Sequence, residues 1–296
     1  METIYYGEQR CSKEPCRNKA YYICNGNYLC GVHSKNKTRV ELPHRDKNEA
    51  LQLKMQRIKD EKLLIENERQ QNVLHGRSGN VILSKMYMMK DPEYVKGFLK
   101  VFPNYKHQNR IDGYGCMRLS PMYLGPIKHG QPGLPDALNL ENFHQANKVF
   151  PWEVDENGNP SPIYYENKHK MYLDPKPHRH KFMGKNKNSP VYSIWVDKSG
   201  QEHRLNYIES RQFYCNFYER LASAQEDYQR LYQMIREGYN LQICGYDAYP
   251  VDPTPKAIEK AYLDPSKPFG HELVLYTMLI LPIETYPWRK YKTFDF

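Results

Sequence analysis

Four residues near the start of the chain have the types and spacing of a metal site: Cys11, Cys16, Cys30 and His33. They form Cys-x4-Cys, then a gap of 13 residues, then Cys-x2-His. Two close pairs joined by a hairpin can bring three thiolates and an imidazole to the corners of a tetrahedron, which is the geometry of structural zinc. With all four positions filled by protein, such a site is closed and holds a fold together rather than activating water. Cys24 competes with Cys30 for the third position, but the tight Cys-Gly-Val-His spacing favours Cys30. A second ion at Cys24 and His44 is a weaker reading of the same residues. The bland alternative is a cysteine-rich turn without metal.

The surrounding composition supports metal over disulfides. Four of the 7 cysteines lie between positions 11 and 30, and Cys116, Cys215 and Cys244 are scattered. The first residues, Met-Glu-Thr-Ile-Tyr-Tyr, lack the charged start and apolar run of a secretory signal. No run of 18 or more apolar residues occurs to span a bilayer. The expectation is a soluble intracellular protein in the cytoplasm, the nucleus or a virion, where clustered thiols bind metal. The net charge of +9 is uneven: residues 1–90 hold 17 Lys and Arg against 10 Asp and Glu, while residues 91–296 hold 26 against 24. An acidic partner or nucleic acid would meet the metal-binding end first. Lys35, Lys37, Arg39, Arg45 and Lys47 are the candidate contacts; a protein-docking role for the same module is the competing reading.

The elements that must position these residues follow from periodicity and turn signals. Residues 1–45 read as short strands and turns around the metal. Residues 46–79 read as an exposed, charged helical linker, free of Gly and Pro until Gly76 and Gly79 close it. Residues 80–296 form the larger domain. Leu140–Phe150 has helical character, and residues 151–190, rich in Pro, Asn, His and Lys, read as an inserted surface loop. Tyr192–Val196 and Glu202–Leu205 read as a hairpin around Lys198-Ser199-Gly200. Tyr214, Phe217, Leu221, Ala224, Tyr228, Leu231 and Ile235 recur at spacings of three and four, one face of a long helix that stops at Gly238. Leu241–Asp247 then reads as a strand. The fold class expected is α+β, mainly helical with short strands, plus the small N-terminal metal module.

Within the larger domain, Leu119-Ser120-Pro121-Met122, Gly125-Pro126-Ile127 and Leu140-Glu141-Asn142-Phe143-His144-Gln145-Ala146-Asn147-Lys148 stand out. Glu141, Gln145 and Lys148 are spaced by four and three, so they share one helical face. This stretch resembles the NADAR family, in which Leu-Ser-Asn-Phe precedes a helix bearing Glu, then Gln-Ala, then Lys. The resemblance extends through residues 115–282, with a helix, a short strand ending near Asp247, and Phe269-Gly270-His271-Glu272 leading into an apolar segment. The chain departs from the family pattern in Pro121-Met122, where Asn-Phe is usual, and in Phe269-Gly270, where Trp-Gly is usual.

The resemblance implies hydrolysis of an N-glycosidic bond between ribose and a base, as in ADP-ribosylated guanine or a riboflavin-pathway intermediate. Cleaving that bond builds positive charge on the sugar, so a carboxylate must stabilise it, a water must be activated and the leaving base must be protonated or hydrogen-bonded. The expected roles are Glu141 for the water and the cation, and Asp247 as second carboxylate. Gln145 is expected on a ribose hydroxyl or base edge, and Lys148, Arg211 or the Gly270–His271 turn on phosphate or the leaving base. Each residue has a bland alternative: Glu141 at a helix N-terminus, Asp247 in a turn, Lys148 solvated, Arg211 in a helix-start ion pair and His271 a satisfied core histidine. Without catalysis, the chain would be a metal-module binding protein for nucleic acid or protein, or a structural component of a viral or other large assembly. No Walker or Rossmann glycine loop is present, so no nucleotide cofactor of those classes is expected.

Overall fold

The computed structural model describes residues 3–87, 91–178 and 189–292. It is a mixed α/β protein whose chain divides into two compact units, Met1–Asp60 and Glu61–Phe296. None of the helices in the described residues is long and apolar enough to cross a membrane.

The first unit is built on a three-stranded antiparallel sheet in the order β2-β1-β3, with β1 at Tyr22–Cys24, β2 at Asn27–Leu29 and β3 at Val40–Glu41. Asn25 and Gly26 alone join β1 to β2, with Cys24 opposite Asn27. Both turn residues have positive φ, 47° and 74°, the conformation a two-residue hairpin needs and the reason Asn-Gly serves there. Cys11, Cys24, Leu29 and Cys30 make a small apolar centre, too small to hold about 45 residues unaided.

Helix α1, Lys47–Leu74, runs across the boundary between the units. The charged helical segment expected over residues 46–79 is a helix, and its second half falls in the larger unit. Glu61, Ile65 and Asn72 are buried on one face there. Glu61 accepts from the buried Lys100 at 3.0 Å. The Asn72 amide donates to the Gly238 carbonyl at 2.9 Å and to Asn240 Oδ1 at 3.2 Å. Two polar residues of a charge-rich helix thus find partners inside the core.

The larger unit centres on a four-stranded sheet, β4 (Val81–Lys85), β5 (Phe98–Phe102), β6 (Tyr114–Gly115) and β10 (Asn240–Gly245), in the order β4-β10-β5-β6, with all pairings parallel. Every residue of β10 is buried, as a central strand covered on both faces requires. Gln242 is tolerated there because its amide donates to Ser84 Oγ and the Glu93 carbonyl, and its oxygen accepts from Val95 N–H. Residues 80–115 supply three of these four strands.

Helix α2, Leu140–Ala146, is followed by β7 (Lys148–Val149), which pairs with β8 (Tyr192–Val196), and β8 with β9 (Glu202–Leu205), in a second, antiparallel sheet. The supposed loop at 151–190 instead carries α3, Pro162–Leu173, which buries Tyr164, Lys168, Met171 and Tyr172; residues 179–188 lie outside the described residues. The long helix expected over 214–235 is two helices, α4 (Tyr207–Ala222) and α5 (Glu226–Arg236). Gln225 is extended between them and Glu226 and Asp227 open the second, acidic residues placed to favour a new N-terminus. Helices α6 (Pro255–Leu263), α7 (His271–Ile280) and α8 (Pro287–Lys290) complete the unit. Helix α7 is buried from Glu272 through Leu279 and packs on α4, β4 and β10.

Candidate metal centre and active site

The ligand atoms of Cys11, Cys16, Cys30 and His33 all lie within 4.8 Å of one another. Cys16 Sγ is 3.9 Å from Cys30 Sγ, and His33 Nδ1 is 3.3 Å from Cys11 Sγ and 3.5 Å from Cys30 Sγ. A tetrahedral zinc with ordinary bond lengths has S···S edges of about 3.8 Å and S···N edges of about 3.5 Å. The cluster thus fits such an ion. The imidazole presents Nδ1, because in Cys-Gly-Val-His the loop is short and Ser34 N–H bonds back to the Cys30 carbonyl at 3.0 Å. Burial alone would raise the Cys30 thiol. The N–H groups of His33 and Val32 that face its sulfur, with Cys11 and Cys16, hold it below the ordinary cysteine value instead, which favours the thiolate a metal takes. Cys24 is buried beside the cluster but is not one of its four members. His44 stacks on Tyr6, with ring centroids 4.3 Å apart, and contacts Glu41.

In the larger unit Glu141 and Gln145 of α2 and Lys148, which the structure places in β7 and not on the expected helical face, form a hydrogen-bonded chain. Gln145 Nε2 donates to Glu141 Oε1 at 3.0 Å, and Lys148 Nζ donates to Gln145 Oε1 at 3.3 Å. The N-cap Asn139 accepts from Asn142 N–H at 2.8 Å, starting the helix so that Glu141 falls in its first turn. Glu141 N–H bonds the Pro121 carbonyl at 3.0 Å and Leu140 N–H the Leu124 carbonyl at 2.8 Å. The Leu119–Gly125 stretch is thereby tied to the helix it precedes.

The chain matches no protein-family model, no curated protein and no solved structure. The site is therefore read from its own geometry.

Opposite α2 stands Tyr214 on α4, 7% exposed. Its hydroxyl is held well above the ordinary tyrosine value, first by burial and then by Glu141, Tyr218 and Glu272. One buried phenol thus lies in the field of a carboxylate from α2 and another from α7. His144 packs on the same ring at 4.6 Å, its Nδ1 buried without a hydrogen bond; burial, aided by Lys148, keeps it neutral.

Glu272 is 1% exposed and sits where the carboxyl ends of the parallel strands meet the start of α7. A Cβ added to Gly245, the last residue of β10, would lie 2.1 Å from Glu272 Oε1. One added to Gly270 would lie 3.0 Å from Glu272 Oε2 and 3.3 Å from Asp247 Cβ. Asp247 itself is exposed. The carboxyl edge of a parallel sheet is where α/β folds place ligands, because strands end there and loops diverge.

Two expected ligand contacts are corrected. Arg211 is 4% exposed, and its guanidinium donates to the carbonyls of Ala261, Tyr262 and Lys267. Its charge is spent on fixing the segment that leads to Gly270, so it is not presented to a phosphate. His271 Nε2 lies 3.1 Å from the Pro103 carbonyl and must carry the proton there, and Nδ1 is 3.2 Å from Glu272 Oε2. Its ring shapes the turn and is not directed outward. Sequence reasoning missed Glu272, His144 and the role of Tyr214. The available signal was a lone Glu opening an otherwise apolar run, since an acid buried there needs a reason to be kept.

Proposed function

We propose that the larger unit hydrolyses an N-glycosidic bond joining ribose to a base, with ADP-ribosylated guanine or a riboflavin-pathway intermediate as the substrate class, and that zinc fills the Cys11–Cys16–Cys30–His33 site. The observation that carries the reading is a set of contacts: His144 of α2 packs on the Tyr214 ring at 4.6 Å, Glu141 on the same helix is bonded by Gln145 at 3.0 Å, and Glu272 meets Gly245 and the Gly270 turn that adjoins Asp247. Glu141, held by Gln145, orients the attacking water and stabilises positive charge on the sugar. Exposed Asp247 is the second carboxylate. Gln145 and Lys148 face the sugar hydroxyls or the base edge. Arg211 and His271 act as positioning residues, which departs from the roles their sequence context suggested.

The reading is tested by incubating the metal-loaded chain with ADP-ribosylated guanine, free and within DNA, and with the riboflavin-pathway N-glycoside. Release of free base from any of them supports it. A folded, metal-loaded sample that turns over none of them makes the chain a binding protein on the same fold.

A further inference from the structure

A groove on the first unit is lined by Ser12, Lys13, Asn25, Asn27, Lys37 and Thr38, with Cys24 and Leu29 at its apolar side. Two lysines, two amides and two hydroxyls line it, and no carboxylate does. Lys13 and Lys37 are exposed, and among the described residues neither makes an ion pair or a side-chain hydrogen bond. Three other cations of the module are held. Arg45 is held by Glu8 and Glu49, Arg39 lies over the Tyr22 ring and donates to Ser34, and Lys19 donates to the Glu8 carbonyl. Of the basic residues expected from sequence, Arg39 and Arg45 are thus committed to partners, Lys35 and Lys47 are not among the residues that line the groove, and Lys37 lines it together with Lys13.

Those two lysines come from separate loops that the candidate metal ties together. Lys13 lies between Cys11 and Cys16, and Cys16 N–H bonds the Lys13 carbonyl at 2.7 Å. Lys37 lies four residues beyond His33, where Lys37 N–H bonds the Ser34 carbonyl at 3.2 Å and Ser34 N–H the Cys30 carbonyl. Cys24 and Leu29, at the groove's apolar side, share one apolar cluster with Cys11 and Cys30. A metal at the four ligands therefore sets the distance between the two charges.

We propose that this groove binds the phosphodiester backbone of a nucleic acid, with Lys13 and Lys37 on phosphates and the Asn25, Asn27 and Thr38 side chains on phosphate or sugar oxygens. Charge complementarity selects the ligand: cations and neutral donors face a groove that no acid lines, and such a surface reads backbone, not sequence. The site is independent of the hydrolase reading, since it lies on the other unit and needs no turnover.

The test measures fluorescence anisotropy of labelled single-stranded and duplex DNA of mixed sequence with the metal-loaded full chain across a series of KCl concentrations. Binding at low salt that weakens with salt is expected. Lys13→Glu/Lys37→Glu is expected to weaken it at least about ten-fold and to flatten the log–log salt dependence by about two, one per lost phosphate contact. Lys13→Ala/Lys37→Ala is the milder pair if charge reversal disturbs metal loading, which a zinc count on each sample reports. Lys106→Glu, on the larger unit, is expected to change little. The arm that binds more tightly tells whether single strands or duplex are preferred. No binding of either DNA at low salt, or a native salt slope in a metal-loaded double variant, overturns the proposal.

Discussion

Lys168 makes a demanding test of the core. It is 1% exposed, its ammonium donates to Gln131 Oε1 at 3.2 Å, and its Nζ lies 5.9 and 5.8 Å from the Tyr164 and Tyr172 ring centres. Burial lowers it from the ordinary lysine value of 10.5 to about 7, with Glu202 opposing the change. Each unit between those values corresponds to about 1.36 kcal/mol, so keeping the charge inside costs roughly 5 kcal/mol. Lys168→Met keeps the apolar stem and loses the charge, one hydrogen bond worth about 1 kcal/mol and the ring contacts. Gln131 Oε1 still accepts from Val196 N–H at 3.2 Å. The expected net gain is on the order of 3 kcal/mol at about pH 6.

The sign follows from proton counts. Between about 7 and 10.5 the unfolded chain holds the Lys168 proton and the folded chain does not. The native protein therefore gains stability from this group as pH rises through that window, and below it the penalty is complete and constant. Urea unfolding of native and Lys168→Met protein from about pH 6 to about pH 9 reads the difference, which should shrink as pH rises. Measurements stay below the range where Tyr164 and Tyr172, held above the ordinary tyrosine value by burial, contribute their own dependence. A stability difference that stays constant with pH, or a loss of stability in the variant at about pH 6, refutes the reasoning.

Three further outcomes follow from the same structure. One zinc per chain is expected, and Cys11→Ser or a strong chelator should abolish it, with the segment around Cys11–His33 becoming protease-sensitive because its small apolar centre depends on the metal; a chromogenic zinc assay and limited proteolysis check both. Gly245→Ala places a methyl group 2.1 Å from Glu272 Oε1 and should cost about 3 kcal/mol, partly recovered by adding Glu272→Ala, as urea midpoints would show. Asn72→Ala leaves the Gly238 carbonyl without that donor and should cost about 2 kcal/mol, read from thermal unfolding.

What was legible in the sequence depended on how local the cause was. The metal ligands are set by short spacings within one small module, and the structure gathers the same four residues and leaves Cys24 out. The hairpin at Tyr192–Leu205 was legible because alternation and a turn signal sit side by side. The Glu141–Gln145 pair followed from helical period, whereas Lys148, expected on the same helical face, joins the chain from β7, just past the end of the helix. Non-local causes were hidden. The break between α4 and α5 leaves the apolar period intact across Ser223–Gln225, so only the acidic pair Glu226–Asp227 marks it. Helix α3 lies in a stretch that read as a surface loop because residues 151–190 are rich in Pro, Asn, His and Lys, yet its Lys168 ammonium finds Gln131 within the core. Glu272 gained meaning only when the parallel sheet brought Gly245 to it across 27 residues of chain.

The central claim is most directly tested by the rate at which free base leaves an ADP-ribosylated guanine or the riboflavin-pathway N-glycoside, comparing native protein with Glu141→Gln. The variant can keep the Gln145 hydrogen bond, since an amide oxygen accepts as the carboxylate did, and loses only the charge. The account predicts turnover by the native protein and a fall of at least about 100-fold in the variant at unchanged stability. Equal rates in the two proteins would contradict it.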